Sequence, residues 1–309
     1  MSPTTVPGRR WLVAVVAAAA GALGLASGSP GAQRSAAPER AAAASVELPR
    51  GGDRIFPHHR VVGFYGAPQS PGLGALGIGS PAQAAKRLRR QARPYARIDS
   101  RKRILPALEL IAAIALAHPG GDGKYRFRQP REVIDRYLRV AHKRRMLLLL
   151  DIQPGRSSFV AEARRLRPYL REPNVGLALD PEWNMGPGGV PGERIGSVEA
   201  GVVNQVSRLM VRMGRRHDLP QKLLVVHQFT EEMVRGKGRL RARRNVAVVL
   251  NADGFGTPAQ KRAKYHELAP PGRSQLEPGF KLFYEEDTDL MSPQQVLELG
   301  PPPRFVVYE

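Results

Sequence analysis

Apolar positions along this chain gather into eight short runs, most of them rich in β-branched or aromatic side chains. They are Val61 to Tyr65, Ile104 to Ile111, Met146 to Asp151, Val175 to Glu182, Leu223 to Phe229, Val246 to Asn251, Phe280 to Glu285 and Arg304 to Tyr308. Runs of this length, bounded by turn-forming residues, predict β-strands. The segments between them carry helical periodicity over Ser80 to Ala96, Pro130 to Lys143, Ser158 to Leu170 and Ser197 to His217. Val203, Val206, Met210 and Met213 mark one face of the last. Shorter helical pieces follow near Thr230 to Val234, Thr257 to Leu268 and Ser292 to Leu299. Strand then helix, repeated with few exceptions over about 260 residues, predicts an α/β fold: a single-domain (β/α)8 TIM barrel.

Punctuation supports that register. Ser80-Pro81, Gln129-Pro130, Thr257-Pro258 and Ser292-Pro293 put proline in a first helical turn, three of them after a small polar cap. Glycine and proline crowd the segments after strands, at Gly66 to Gly79, Pro119 to Gly123 and Gly186 to Gly192. In a barrel those loops form the functional face. An open doubly wound sheet would carry G-x-G-x-x-G after its first strand, and Gly66 to Gly79 is too long and proline-rich for that. Without a Gly-rich phosphate loop, no nucleotide cofactor is expected.

The strand ends carry the candidate chemistry. In Val175 to Met185, strand alternation puts Gly176, Ala178, Asp180 and Glu182 on one face, so two acids share a face with small residues. Such a pair is costly unless solvated, paired or used. Tyr65, Glu109, Asp151, Trp183, His227, Gln228, Asn251, Asp253, Glu285 and Tyr308 stand at the ends of the other runs or beside this one. Crowded carboxylates raise one another's pKa, so one can serve as an acid while another stays ionised. Structural readings stand beside these. Glu109 could be a paired buried acid, Asp151, Asn251 and Asp253 could form turns, and His227 could be a hydrogen-bonded core residue. Trp183 and Tyr308 could be core plugs or platforms for sugar rings. A metal centre is not expected from the histidines, because none of the seven pairs with another in a strand. A divalent cation held by Asp151, Asp180, Glu182 and Glu285 stays open as an alternative.

Residues 1–28 read as a secretory signal or an N-terminal anchor: Arg9 and Arg10, the apolar run Trp11 to Ala26, then small residues. Membrane association is expected only if that segment is uncleaved. Residues 29–52, rich in Ala, Pro, Ser and Gly, read as a flexible linker, and residues 53–309 as the barrel. Cysteine is absent, which excludes disulfides, thiolate metal sites and cysteine nucleophiles. The net charge of +21 is spread along outer helices and the turns behind them, which fits a solvated basic surface or adhesion to an anionic cell-wall polymer. No recognition motif accompanies the charge, so nucleic acid is not an expected partner.

Asp180-Pro181-Glu182 resembles the end of the chitinase-type D-x-x-D-x-D-x-E signature on strand four, and Val61 to Tyr65 resembles the first strand of that family. More broadly, the layout resembles a glycoside-hydrolase barrel, and secreted barrel proteins of high-GC Gram-positive bacteria. In the glycosidase class with its proton donor after strand four and its nucleophile after strand seven, the resemblance implies Glu182 as donor and Glu285 or Glu286 as nucleophile. The chitinase resemblance implies instead a substrate amide as nucleophile, oriented by Asp180. The expected function is therefore a secreted hydrolase of a cell-wall or environmental polysaccharide, with Glu182, Glu285 and Asp180 catalytic. The alternatives are a non-catalytic carbohydrate-binding barrel and a divalent-metal-dependent hydrolase.

Overall fold

A computed structural model describes residues 46–271 and 274–309. The expected signal, residues 1–28, and the linker up to residue 45 lie outside the described residues. Eight parallel strands close into a barrel: β1 (His59–Gly66), β2 (Arg103–Ala115), β3 (Leu147–Ile152), β4 (Val175–Leu179), β5 (Lys222–Gln228), β6 (Val246–Ala252), β7 (Glu277–Leu282) and β8 (Phe305–Tyr308). Each pairs in parallel with the next, and β1 pairs with both β2 and β8, so no edge of the ring stays open. The expected (β/α)8 barrel is what the chain forms. Two strands that carry candidate acids end short of the sequence reading. β4 stops at Leu179 because Asp180 departs from strand geometry and Pro181 opens a 3-10 turn. β7 runs from Glu277 to Leu282, so Glu285 stands in the turn beyond it.

Strand parity sorts the core into two shells. Leu105, Ala107, Leu149, Ala178, Val225, Val249 and Val307 fill the lumen. Val62, Leu108, Leu148, Leu177, Leu224 and Leu250 face outward, toward the helices. The lumen position 176 is glycine because an added Cβ would stand 2.5 Å from the Leu223 carbonyl oxygen and 2.8 Å from Leu149 Cδ2. The amino-terminal end is plugged by Leu48, Ile55 and Phe56, all buried in the same cluster. The Gln221 side chain accepts from the backbone N–H groups of Ile55 and Phe56, which fixes the plug to the approach of β5. Leu48 thus packs with the barrel although composition places it in the linker.

Six α-helices lie among the described residues: α1 (Pro81–Ile98), α2 (Arg131–Arg144), α3 (Phe159–Arg165), α4 (Ala200–Arg216), α5 (Pro258–Leu268) and α6 (Pro293–Leu297). Ser80, Thr257 and Ser292 cap α1, α5 and α6 with full capping boxes and proline at the first turn. The unit after β5 has no α-helix. Glu231–Met233 is a 3-10 turn, and Val234–Arg235 pairs with Val198–Glu199 in a small separate ladder. Gly236 and Gly238 in that segment remove the periodicity a helix needs. β2 overruns its neighbours after a bulge between Ile111 and Ala113 and pairs antiparallel with Arg126–Arg128.

Candidate active site at the barrel mouth

The strands deliver a ring of polar side chains to their carboxyl ends, above the apolar layers. Tyr65, Glu109, Asp151, His227, Asn251 and Lys281 come from β1, β2, β3, β5, β6 and β7. Asp180, Asp253, Gln153 and Glu309 stand one residue beyond β4, β6, β3 and β8. All but Glu309 are buried.

Two hydrogen-bonded groups share this space. In the first, the Tyr65 hydroxyl lies 3.2 Å from Asp151 Oδ2 and 3.3 Å from Asp180 Oδ2 and accepts from Gln153 Nε2 at 2.9 Å. The Ala115 N–H donates to Gln153 Oε1, which turns the amide nitrogen toward the pair. A hydroxyl has one proton to give, so Tyr65 satisfies one carboxylate at a time, and Gln153 Nε2 donates to Asp180 Oδ2 as well, at 3.3 Å. Burial, reinforced by Asp180, pushes Asp151 well above the usual carboxylate range. Burial also raises Asp180, against the opposing pull of His227 and Lys281. Burial, with both aspartates, pushes the Tyr65 phenol well up.

The second group is a charge chain. His227 Nε2 lies 2.8 Å from Glu109 Oε1, and His227 Nδ1 lies 2.9 Å from Asp253 Oδ2. Burial opposes the charged ring, but Asp253 and Glu109 outweigh it and hold the imidazole well above its ordinary pKa. Burial likewise works against the Asp253 carboxylate, and His227 and Lys281 overcome it, leaving the acid below the usual range. Lys281 Nζ sits 2.6 Å from Glu309 Oε2, 3.6 Å from Asp253 Oδ2 and 3.8 Å over the Tyr65 ring. Burial would lower this lysine, but Glu309, Asp253 and Asp180 raise it. The mouth thus pairs a charged half around His227 and Lys281 with a half around Asp151 and Asp180 in which burial favours the protonated acids.

Of the residues singled out from sequence, Tyr65, Glu109, Asp151, Asp180, His227, Asn251 and Asp253 converge here. Glu182 and Trp183 lie half-buried in the 3-10 turn directly after Asp180, at the rim. Three others are elsewhere. Gln228 is on the outer face, donating to the Leu268 carbonyl. Tyr308 also faces outward, bonded to the Tyr95 hydroxyl at 2.6 Å and stacked on Tyr284. Glu285 is exposed in the turn after β7. Each follows from parity or strand length: His227 and Val307 face in, so Gln228 and Tyr308 face out, and β7 ends too early to carry Glu285 inward. Gln153, Lys281 and Glu309 are not among the residues singled out. The signal for Lys281 is a lysine inside an apolar run, at the parity of Phe283; for Glu309 it is the alternation Phe305, Val307, Glu309.

Glu109, Asp151 and His227 also offer one ligand atom each within 4.8 Å of one another, a set able to hold a divalent cation. Glu109 Oε2 and Asp151 Oδ1 are buried there without a hydrogen-bond partner. Against a cation stands the imidazole, whose two nitrogens already serve two carboxylates.

No protein-family model matches the chain, and no curated protein matches it. Among solved structures, it is similar to the cellulose synthase subunit Z of Clostridioides difficile, at 9% identity and a TM-score of 0.40, over 82% of this chain and 91% of that one. It is also similar to the catalytic domain of alkaline cellulase K, at 9% identity and a TM-score of 0.34, over 81% of this chain and 63% of that one.

Proposed function

We propose that this chain is a secreted hydrolase of N-acylated glycans, with Glu182 as proton donor and Asp180 as the group that orients the substrate amide. The observation that carries this reading is the placement of Asp180. It is buried at the mouth, where it accepts from Tyr65 and Gln153 and burial raises its pKa, two residues before a half-buried glutamate at the rim. A glycosidic oxygen at the rim would take its proton from Glu182. The amide oxygen of the same sugar, aimed by Asp180 accepting from the amide N–H, would attack the anomeric carbon as the leaving group departs. Water then opens the cyclic intermediate with Glu182 acting as base. A two-carboxylate mechanism using Glu285 fits less well, because that residue is exposed in a turn while Lys281 occupies the lumen position of β7.

The test is release of reducing ends from a panel of wall and plant polysaccharides, N-acetylated and de-N-acetylated, by the domain beginning at Glu47. Glu182→Gln is expected to lower turnover by about 10²–10⁴-fold. Asp180→Asn is expected to lower it on acetylated substrate, with the de-N-acetylated form resistant to the wild type. Activity abolished by chelator would favour the second reading, a metal-dependent hydrolase, for which the Glu109, Asp151 and His227 cluster speaks. Binding without release in wild type and variants alike would leave a carbohydrate-binding barrel.

A further inference from the structure

At the opposite end of the barrel, beside the plug, lies a cavity of about 540 Å³ lined by Asp53, Arg54, His58, His59, Arg101, Lys102 and Arg103, among others. Its charge is one-sided: four cationic side chains face a single lining carboxylate, and two histidines stand between. Arg101 is paired with Asp99 at 3.3 Å, whereas among the described residues no ion pair joins Arg54, Lys102 or Arg103 to an acid. Strand pairing fixes the arrangement, since His59 of β1 stands in register with Arg103 of β2. Lys102 Nζ is anchored on the Pro57 carbonyl at 3.0 Å, so its charge is held at the wall of the cavity. His59 is 2% exposed, with Nδ1 against the Ile55 carbonyl and Nε2 buried without a hydrogen-bond partner. Complementing the end of α1 does not account for this cluster. Arg97 lies in that last turn, and Lys102 and Arg103 lie beyond it, where the helix field has faded.

We infer that this cavity binds a multiply charged phosphate group, such as those of an anionic phosphate polymer. Converging guanidinium and ammonium groups favour a compact oxyanion with several acceptor oxygens. Their mutual repulsion, only partly offset by Asp53 and Asp99 in the free protein, is relieved when it binds. The site is at the far end from the mouth, so it serves attachment and not turnover, and it stands independently of the glycan reading.

Inorganic pyrophosphate and long-chain polyphosphate are the probes, titrated calorimetrically into the domain beginning at Glu47, with polygalacturonate as the carboxylate comparison. The expected result is saturable binding of one pyrophosphate per chain, weakened at least tenfold in Lys102→Gln/Arg103→Gln and unchanged in the charge-matched control Arg215→Gln/Arg216→Gln on α4. The His59 imidazole, followed by NMR, should titrate at higher pH with pyrophosphate bound. Thermal melts of both double variants establish that each is folded. Equal weakening in the two variants would reduce the effect to diffuse surface charge and overturn the proposal, as would absence of saturable binding, an unmoved His59, or tighter binding of polygalacturonate.

Discussion

Lys281 shows how one side chain holds the mouth together. Its ammonium group is the counter-charge for Glu309 and Asp253, both close to a lumen that solvates them poorly. Lys281→Met leaves those acids without it, and removal of one partner from a buried pair costs about 3–5 kcal/mol. The variant is expected to melt well below the wild type. Lys222 is the opposite case. Burial lowers its pKa to about 7 against the weaker upward pull of Glu172, while its amine donates to the Glu172 and Val175 carbonyls. The unfolded chain, with its lysine near 10.4, binds more protons between those values, so stability rises with pH across that window. Denaturant midpoints measured from pH 7 to 10 should climb more steeply in the wild type than in Lys222→Met. At this scale parity makes Asp151, Asp180, His227 and Asn251 legible in the sequence, since each ends an apolar run facing in. The same rule turns Gln228 and Tyr308 outward. Lys281 is hidden by a strand that begins at Glu277, where Pro278 and Gly279 disguise its start.

Among the elements, helix starts are the most legible because capping is local chemistry. Ser80, Thr257 and Ser292 announce their helices through the residue three places on, Gln83, Gln260 and Gln295. Thr257→Ala removes one box and should cost about 1 kcal/mol in denaturant unfolding. The 3-10 turn and short ladder after β5 are less legible, since a strand of two residues has too few positions to show a period. Close packing between β4 and its neighbours is visible only as a glycine in an apolar run. Gly176→Ala should cost about 1–3 kcal/mol, because the backbone carbonyl of Leu223 cannot yield as a side chain would. A variant as stable as the wild type would mean that the strands can part to admit a methyl group.

For the whole molecule, the domain boundary is set by packing and not by composition. A chain beginning at Pro57 lacks Leu48, Ile55 and Phe56, and so exposes the lower lumen to water. It should unfold several degrees below one beginning at Glu47, in calorimetric melts of the two side by side. Sequence pattern finds the barrel because eight strand periods repeat, but it has no means to see that a segment before the first strand folds back as a stopper.

The two ends of this barrel differ in their share of acids as well as in shape. Carboxylates gather at one end, with Glu182, Glu285 and Glu286 around them, while the last turns of α2, α3 and α4 bring Arg144, Arg165 and Arg216 to the other. If the cavity beside the stopper holds an anionic polymer, a layer of that polymer would seat the barrel with its stopper inward and its opening outward. Material lying flat within that layer would then be out of reach, and only strands that stand clear of it, or pieces shed from beyond it, would meet the open end.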